Sequence, residues 1–329
     1  MLGRSKRKAH PGGGDAVTRL FFCTDLHGSD ICFRKFLHAG ETYEASVVIM
    51  GGDCTGKMII PVVGSDADGW RCDWAGRTVR PSSPEEFADL EKQIKNNGLY
   101  PVRMSEEELA VITADPARLR DLFESVMLST LKQWTELAAE RLADSGLQVI
   151  FTPGNDDEMS VDEVLRAAPF IKSPEGEIMT VTGGYEMLSL GWSNNTPWDT
   201  PRECTEEELA AKIAALADRI NDMDRAIFNI HVPPHGTGLD SAPEIEGGDR
   251  VKRGGTIQAA VGSTAVRDAI LNYQPLLSLH GHIHESRGMQ KLGRTTCINP
   301  GSAYSDWTLQ GVVVDLDGDS VKRYVPTTG

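Results

Sequence analysis

Leu20-Phe21-Phe22-Cys23-Thr24-Asp25-Leu26-His27 is a short apolar run that ends on a carboxylate and an imidazole. The same arrangement returns four times along the chain. Residues 47–50 end at Gly51-Gly52-Asp53, and 149–152 precede Pro153-Gly154-Asn155-Asp156-Asp157. Residues 226–230 precede His231, and 276–279 precede His280-Gly281-His282. Each run is too short for a helix and mainly apolar, as expected of a strand buried on both faces of a parallel sheet. In open α/β sheets, ligands and chemistry gather beyond the carboxyl ends of the strands. Five strands delivering polar clusters at that end predict an α/β fold with one site built from much of the chain.

Helices are expected between these strands. Ser83-Pro84-Glu85-Glu86 offers an N-cap, a proline at the first helical position and a capping-box glutamate. Ser105 with Glu108, Ser160 with Glu163 and Thr205 with Glu208 repeat the capping-box spacing. Leu209, Ile213, Leu216 and Ile220 then form one apolar helical face, and 119–142 reads as a long amphipathic helix. Residues 58–80 read as an inserted β-hairpin turning at 66–69. With the helices that follow, the insertion runs over 58–143, a length that suggests a cap or a homodimer element beside the site. Residues 295–325 read as strands with Asp317-Gly318 as a hairpin turn. The expected plan is a disordered basic tail over 1–18 and a single domain over 19–329.

The chain has 329 residues, 40% hydrophobic and 25% charged, enough for a sizeable core. Its formal net charge is −15, with Arg4, Lys6, Arg7 and Lys8 clustered against that trend at the N-terminus. An acidic body repels a phosphate backbone, so polymeric nucleic acid is a poor expectation. Six cysteines lack any regular spacing and read as reduced thiols, which with the missing apolar leader points to a cytoplasmic protein. No stretch approaches the ~18 continuous apolar residues of a membrane span.

His282-Ile283-His284 follows a strand and a glycine. Two histidines two apart share one side of an extended segment, or diverge in a tight turn after Gly281 to touch two ions. Asp25 and His27 add a carboxylate and an imidazole, a donor set suited to manganese, iron or zinc. Asp53 follows two glycines that let the backbone approach an ion closely. Asn155 contributes an amide oxygen and His231 another imidazole. Arg253, with Lys252 in the glycine-rich segment 247–255, is a candidate substrate-phosphate contact. Trp70, Trp192 and Trp198 are candidate stacking partners for a base.

Asp-Leu-His at 25–27, Gly-Gly-Asp at 51–53, Gly-Asn-Asp at 154–156, His231 and Gly-His-Ile-His at 281–284 resemble the calcineurin-like metallophosphoesterase superfamily. Asn299-Pro300-Gly301-Ser302, with the run from His231 to Asp240, is most similar to its Icc-related predicted phosphoesterases. The resemblance implies a four-layer α/β/β/α sandwich. It implies two divalent ions, manganese or iron with zinc as the alternative: Asp25, His27 and His284 on one, Asn155, His231 and His282 on the other, and Asp53 between. It also implies that water held between the ions attacks the phosphorus of a small phosphodiester, nucleotide or phosphomonoester. A nuclease of the same superfamily and a catalytically silent metal-binding scaffold are the alternatives. One position departs from the pattern: most of the superfamily has histidine where this chain has Asp156. Asp156, with its pKa raised by Asp157, is expected to be a partial replacement as proton donor to the leaving group; the alternatives are His235, His280 or a leaving group that needs little help.

Overall fold

A computed structural model describes residues 17–243 and 258–329. β1 (Thr18–Cys23) leads through α1 (Asp30–Thr42) to β2 (Val47–Gly51), which lies parallel to β1 with Phe21 opposite Val48. The chain then leaves the sheet. β3 (Ile59–Ser65), β4 (Gly69–Trp74) and β5 (Arg77–Val79) form an antiparallel meander. After α2 (Pro84–Asn96), β6 (Tyr100–Met104) returns parallel to β3. α3 (Glu106–Ala114) and α4 (Pro116–Leu142) close the excursion, and β7 (Gln148–Thr152) joins β2 in parallel.

α5 (Val161–Ala167) leads into the second half. β8 (Ile178–Val181) and β9 (Tyr185–Leu190) form a hairpin; β10 (Ser193–Asn194) and β11 (Glu203–Cys204) form a small parallel pair. α6 (Glu206–Ala217) precedes β12 (Ala226–Ile230), which lies parallel to β9. β13 (Ser241–Pro243) and β14 (Gln258–Ala260) pair before α7 (Thr264–Tyr273). β15 (Leu277–Leu279), β16 (Gly288–Leu292) and β17 (Thr295–Asn299) complete that sheet. β18 (Gln310–Asp317) then crosses back to pair antiparallel with β1, and β19 (Ser320–Thr328) forms the edge.

Two sheets result, ordered β19-β18-β1-β2-β7 and β16-β17-β15-β12-β9-β8. Successive strand residues point to opposite faces, and both faces are covered. Phe21, Cys23, Val48, Met50 and Phe151 pack against α1, α4 and α5, where Phe33 stacks on Trp134 at 4.2 Å. Leu20, Phe22, Ile49 and Ile150 meet Met187, Ile227, Leu277 and Ile298 between the sheets. Leu188, Phe228 and Ile230 meet Leu209, Ile213, Val266 and Ile270 on the far face. These three cores make four layers, α/β/β/α, as expected.

The insertion differs from its reading. The 58–80 hairpin is part of a four-stranded sheet, β5-β4-β3-β6, because Ala75 and Gly76, both at positive φ, break the second strand and 100–104 pairs with β3. Its core is small: Val62, Cys72, Phe87, Leu90 and Ile94. Capping boxes form at Ser105–Glu108 and Thr205–Glu208. At Ser160 none forms, since that residue is itself helical in backbone (φ −66°, ψ −18°). Glu86 caps Ser82 rather than Ser83, and Ile220 lies past the end of α6. All six cysteines are free and buried. Among the described residues no helix is long and apolar enough to cross a membrane.

Candidate metal centre

β1, β2 and β7 end side by side in one sheet, and β12 and β15 side by side in the other. The segments that follow them carry all seven expected ligand residues to one place. His27 Nε2 lies 3.0 Å from His284 Nε2, and Asn155 Oδ1 lies 2.7 Å from His282 Nδ1. Asp53 Oδ2 lies 3.6 Å from His27 Nε2 and 3.4 Å from His231 Nε2. Asp25 Oδ1 lies 3.4 Å from His284 Nε2 and 3.7 Å from His231 Nε2. Bonds of ~2.1 Å place neighbouring donors ~3.0–3.4 Å apart around an ion, and the donor pairs here stand within a few tenths of an ångström of that range. His231 Nε2 is buried without a hydrogen-bond partner. An orphaned ring nitrogen aimed at two carboxylates fits a cation between them. Asp25–His27–His284, Asp25–Asp53–His231 and His27–Asp53–Asp156 are each close enough to hold one.

The backbone is bent to make this possible. Asp25 (φ +56°), His27 (φ +42°), Asp53 (φ +49°) and His282 (φ +67°) all occupy the left-handed region. Such conformations cost about 1–3 kcal/mol each and persist only where the surroundings impose them. The imposition is visible. Asp25 N donates to Gly52 O, His27 N to Asp53 O and Gly28 N to Cys54 O. A β-carbon on Gly52 (φ +130°) would sit 2.2 Å from His231 Nδ1, so the paired glycines are a demand of the site. His282 N donates to the Asp25 carboxylate, and His231 Nδ1 pairs with Gly51 O at 3.1 Å.

Burial and like charge hold His282 down at about 3, and burial likewise pushes His27 well below its ordinary value. Burial also opposes charge on His231, but Asp53 and Asp25 outweigh it and hold that imidazole at about 10. Asp25 is held down despite its burial, because His284, His231 and His27 surround it.

The supporting roles of several residues appear only in the structure. Asp157 does not face Asp156; it turns inward and accepts from Cys54 N, Thr55 N, Thr55 Oγ1 and Gly154 N at 2.6–3.0 Å. It thereby ties the β2 loop to the β7 loop, its oxygens taken up there rather than turned toward Asp156 as expected. Fully buried Arg202 donates to Asp157 O, Glu158 O and the Asp162 carboxylate. Thr200 Oγ1 accepts from Asn155 Nδ2 at 2.9 Å and donates to Glu203 at 2.6 Å, which turns the amide oxygen toward His282. Asn299 Nδ2 donates to Gly281 O and Ile283 O, and Ser302 Oγ to Asp25 O, so the Asn-Pro-Gly-Ser segment clamps both the histidine turn and the first loop.

No family model matches the chain. The uncharacterized protein MJ1162 of Methanocaldococcus jannaschii is 30% identical over 165 residues, which span 49% of this chain and 68% of that protein. The chain belongs to that protein's family. One crystal structure superposes with a TM-score of 0.56 at 12% identity, covering 95% of this chain and 99% of that one. A novel archaeal phosphodiesterase matches more distantly, with a TM-score of 0.35 at 11% identity over 95% of this chain and all of that one. The likeness to the first of these structures is one of fold, and the four layers and strand ends are disposed as the motifs imply.

A pocket of about 520 Å³ opens over the cluster, lined by His27, Asp53, Asn155, Asp156, His282 and His284 on its floor. Lys57, Trp198, Ala242, Pro243, Ile283 and Glu285 form its walls. Of the three tryptophans considered, Trp198 lines the pocket, whereas Trp70 packs edge-on against Phe87 and Trp192 lies under Lys212. His235 is not among the lining residues; its half-exposed ring faces Asp240 at 3.8 Å. His280 is buried, with Nδ1 at 2.8 Å from Ile230 O and Nε2 at 2.8 Å from Ser278 Oγ, and burial holds it at about 4. Both ring nitrogens are thus committed to the scaffold, leaving it no role as proton donor. Arg253 and Lys252 lie outside the described residues.

Proposed function

We propose that this chain hydrolyses a small phosphoester with the aid of divalent metal ions. The observation that supports the reading best is the position of Asp53. Its carboxylate stands within 3.6 Å of an imidazole nitrogen from each sheet, His27 on one side and His231 on the other. In this reading Asp25, His27 and His284 hold one ion, Asn155, His231 and His282 a second, and Asp53 lies between. A pair of divalent ions held by these residues would supply charge neutralisation for the phosphoryl oxygens and a lowered pKa for bound water. Four imidazoles against two carboxylates favour manganese, iron or zinc over magnesium or calcium.

The remaining work falls to the chain's own groups. Thr200 and Glu203 orient the Asn155 amide, and the His282 amide N–H fixes the Asp25 carboxylate. Orienting contacts of this kind set the donor directions. Trp198, Ala242, Pro243 and Ile283 give the pocket an apolar wall for the organic part of the substrate. Asp156 is assigned no proton donation, because its carboxylate is paired with the Lys57 ammonium at the pocket. The chain's net charge of −15 favours a small substrate over polymeric nucleic acid.

Turnover of bis(p-nitrophenyl) phosphate by the manganese-loaded chain tests the reading. Activity that depends on the metal and is lost in Asp53→Ala is expected. A correctly folded chain that cleaves neither diesters nor monoesters with manganese bound would favour the scaffold alternative.

A further inference from the structure

Lys57 Nζ lies 2.5 Å from Asp156 Oδ2, and both residues line the pocket over the candidate metal centre. Lys57 is the one lysine or arginine among the described lining residues. The three residues before it are anchored through their amides. Asp157 holds Cys54 N and Thr55 N, and Gly56 N donates to Tyr100 Oη at 2.7 Å at the start of β6. Asp156 is fixed just as closely, its amide N donating to Asp53 Oδ1 at 3.0 Å. The Lys57 side chain is 53% exposed, and an ion pair that open to water contributes little to stability. Folding therefore gives no strong reason to hold a lysine here. Recognition of an anion does. An ammonium carries three donors, and Asp156 takes one. Three carboxylates, Asp53, Asp156 and Glu285, otherwise line a pocket that must admit a negatively charged group.

We propose that Lys57 is a substrate-binding residue, its ammonium contacting a non-bridging oxygen of the phosphoryl group, and that Asp156 is a positioning residue that aims it. The assignment rests on the phosphoester-hydrolase reading. It makes the Lys57–Asp156 pair the element that selects for charge on the substrate: a monoester dianion gains more from the ammonium than a diester monoanion does. It also gives Asp156 a role in the place where the superfamily pattern has histidine.

The test uses the full chain, metal-loaded and freed of unbound metal, with inorganic phosphate as the probe in calorimetric titration. Metal content is measured in parallel. A lost hydrogen bond to a charged group corresponds to a ~10- to 100-fold loss of affinity, and Lys57→Ala is expected to weaken phosphate by that factor with metal content unchanged. Lys57→Arg should recover part of the loss, and Asp156→Asn should lose less than Lys57→Ala. In turnover, Lys57→Ala should raise KM more for p-nitrophenyl phosphate than for bis(p-nitrophenyl) phosphate. Unchanged phosphate affinity in Lys57→Ala overturns the proposal. So does an equal fall in Lys57→Ala and Asp156→Asn accompanied by metal loss, the pattern of a purely structural ion pair. Absence of turnover in the unaltered chain would instead count against the hydrolase reading itself.

Discussion

β1, β2 and β7 carry Asp25, Asp53, Asn155 and one imidazole, His27, beyond their carboxyl ends, whereas β12 and β15 carry only imidazoles, His231, His282 and His284. The first sheet supplies the negative charge, and the second supplies most of the neutral nitrogen donors. Every short contact of the cluster that joins the two groups crosses between sheets: His27 to His284, Asn155 to His282, Asp53 to His231. Two of the three candidate clusters draw on both sheets, and so does the seven-residue centre as a whole. The relative placement of the sheets, set by the core of Leu20, Phe22, Ile49, Met187, Ile227 and Leu277, is therefore also the placement of the donors. Interiors this closely packed do not deform continuously, so the geometry of the centre is inherited from the sandwich.

The largest expected effect comes from removing the second sheet's reach across the divide. Orienting partners of ligands typically cost 10–100-fold in metal affinity, and a direct donor should cost more. His231→Ala is thus expected to weaken metal retention by more than ~100-fold, read as metal per chain after dialysis. Retention equal to the unaltered chain would show that the first sheet suffices. Gly52→Ala attacks the same divide through the backbone, since its new methyl would meet His231 Nδ1 at 2.2 Å. Steric conflict at a special φ should cost about 3 kcal/mol, seen as a lower Tm along with lost metal. A neutral outcome would mean that the sheets can separate locally.

Thr200→Val removes the hydroxyl that turns the Asn155 amide. The expected loss is ~10-fold in metal affinity with little change in Tm, and an unchanged affinity would place the orienting force elsewhere. Glu175 provides the smallest effect. Burial raises it to about 7 from an ordinary 4.5, against the pull of Arg202, and its Oε1 has no partner. Between those two pH values the folded chain keeps a proton that the unfolded chain has released, so stability falls as pH rises through the window. Glu175→Gln should therefore raise Tm by a few degrees at pH 8 and by much less at pH 5. An equal shift at both would separate Glu175 from this pH dependence.

The same contrast explains what could be read from the residues alone. Strands such as 47–50 and 226–230 are buried on both faces and end on polar clusters, so composition and order sufficed for an α/β fold with one site at the strand ends, while the four layers came from the family resemblance. Local pattern was weaker where pairing is non-local. β6 lies between two helices, includes Pro101, and gains its strand character only by pairing with β3 some forty residues earlier. Asp157, Arg202, Thr200 and Lys57 acquire meaning through partners on other loops, up to about a hundred residues away for Asp157 and Cys54. Ser160 and Glu163 had the spacing of a capping box, but the turn that delivers Asn155 leaves Ser160 helical rather than extended. His280 sits amid the motif yet serves the scaffold, a distinction that only its two hydrogen-bond partners make.

Anomalous diffraction from crystals grown with manganese tests the central claim most directly. Two peaks ~3.5–4 Å apart are expected on either side of the Asp53 carboxylate, one beside His27 and His284 and the other beside His231 and His282. A well-ordered crystal with manganese elsewhere, or with no peak between the sheets, would contradict the account.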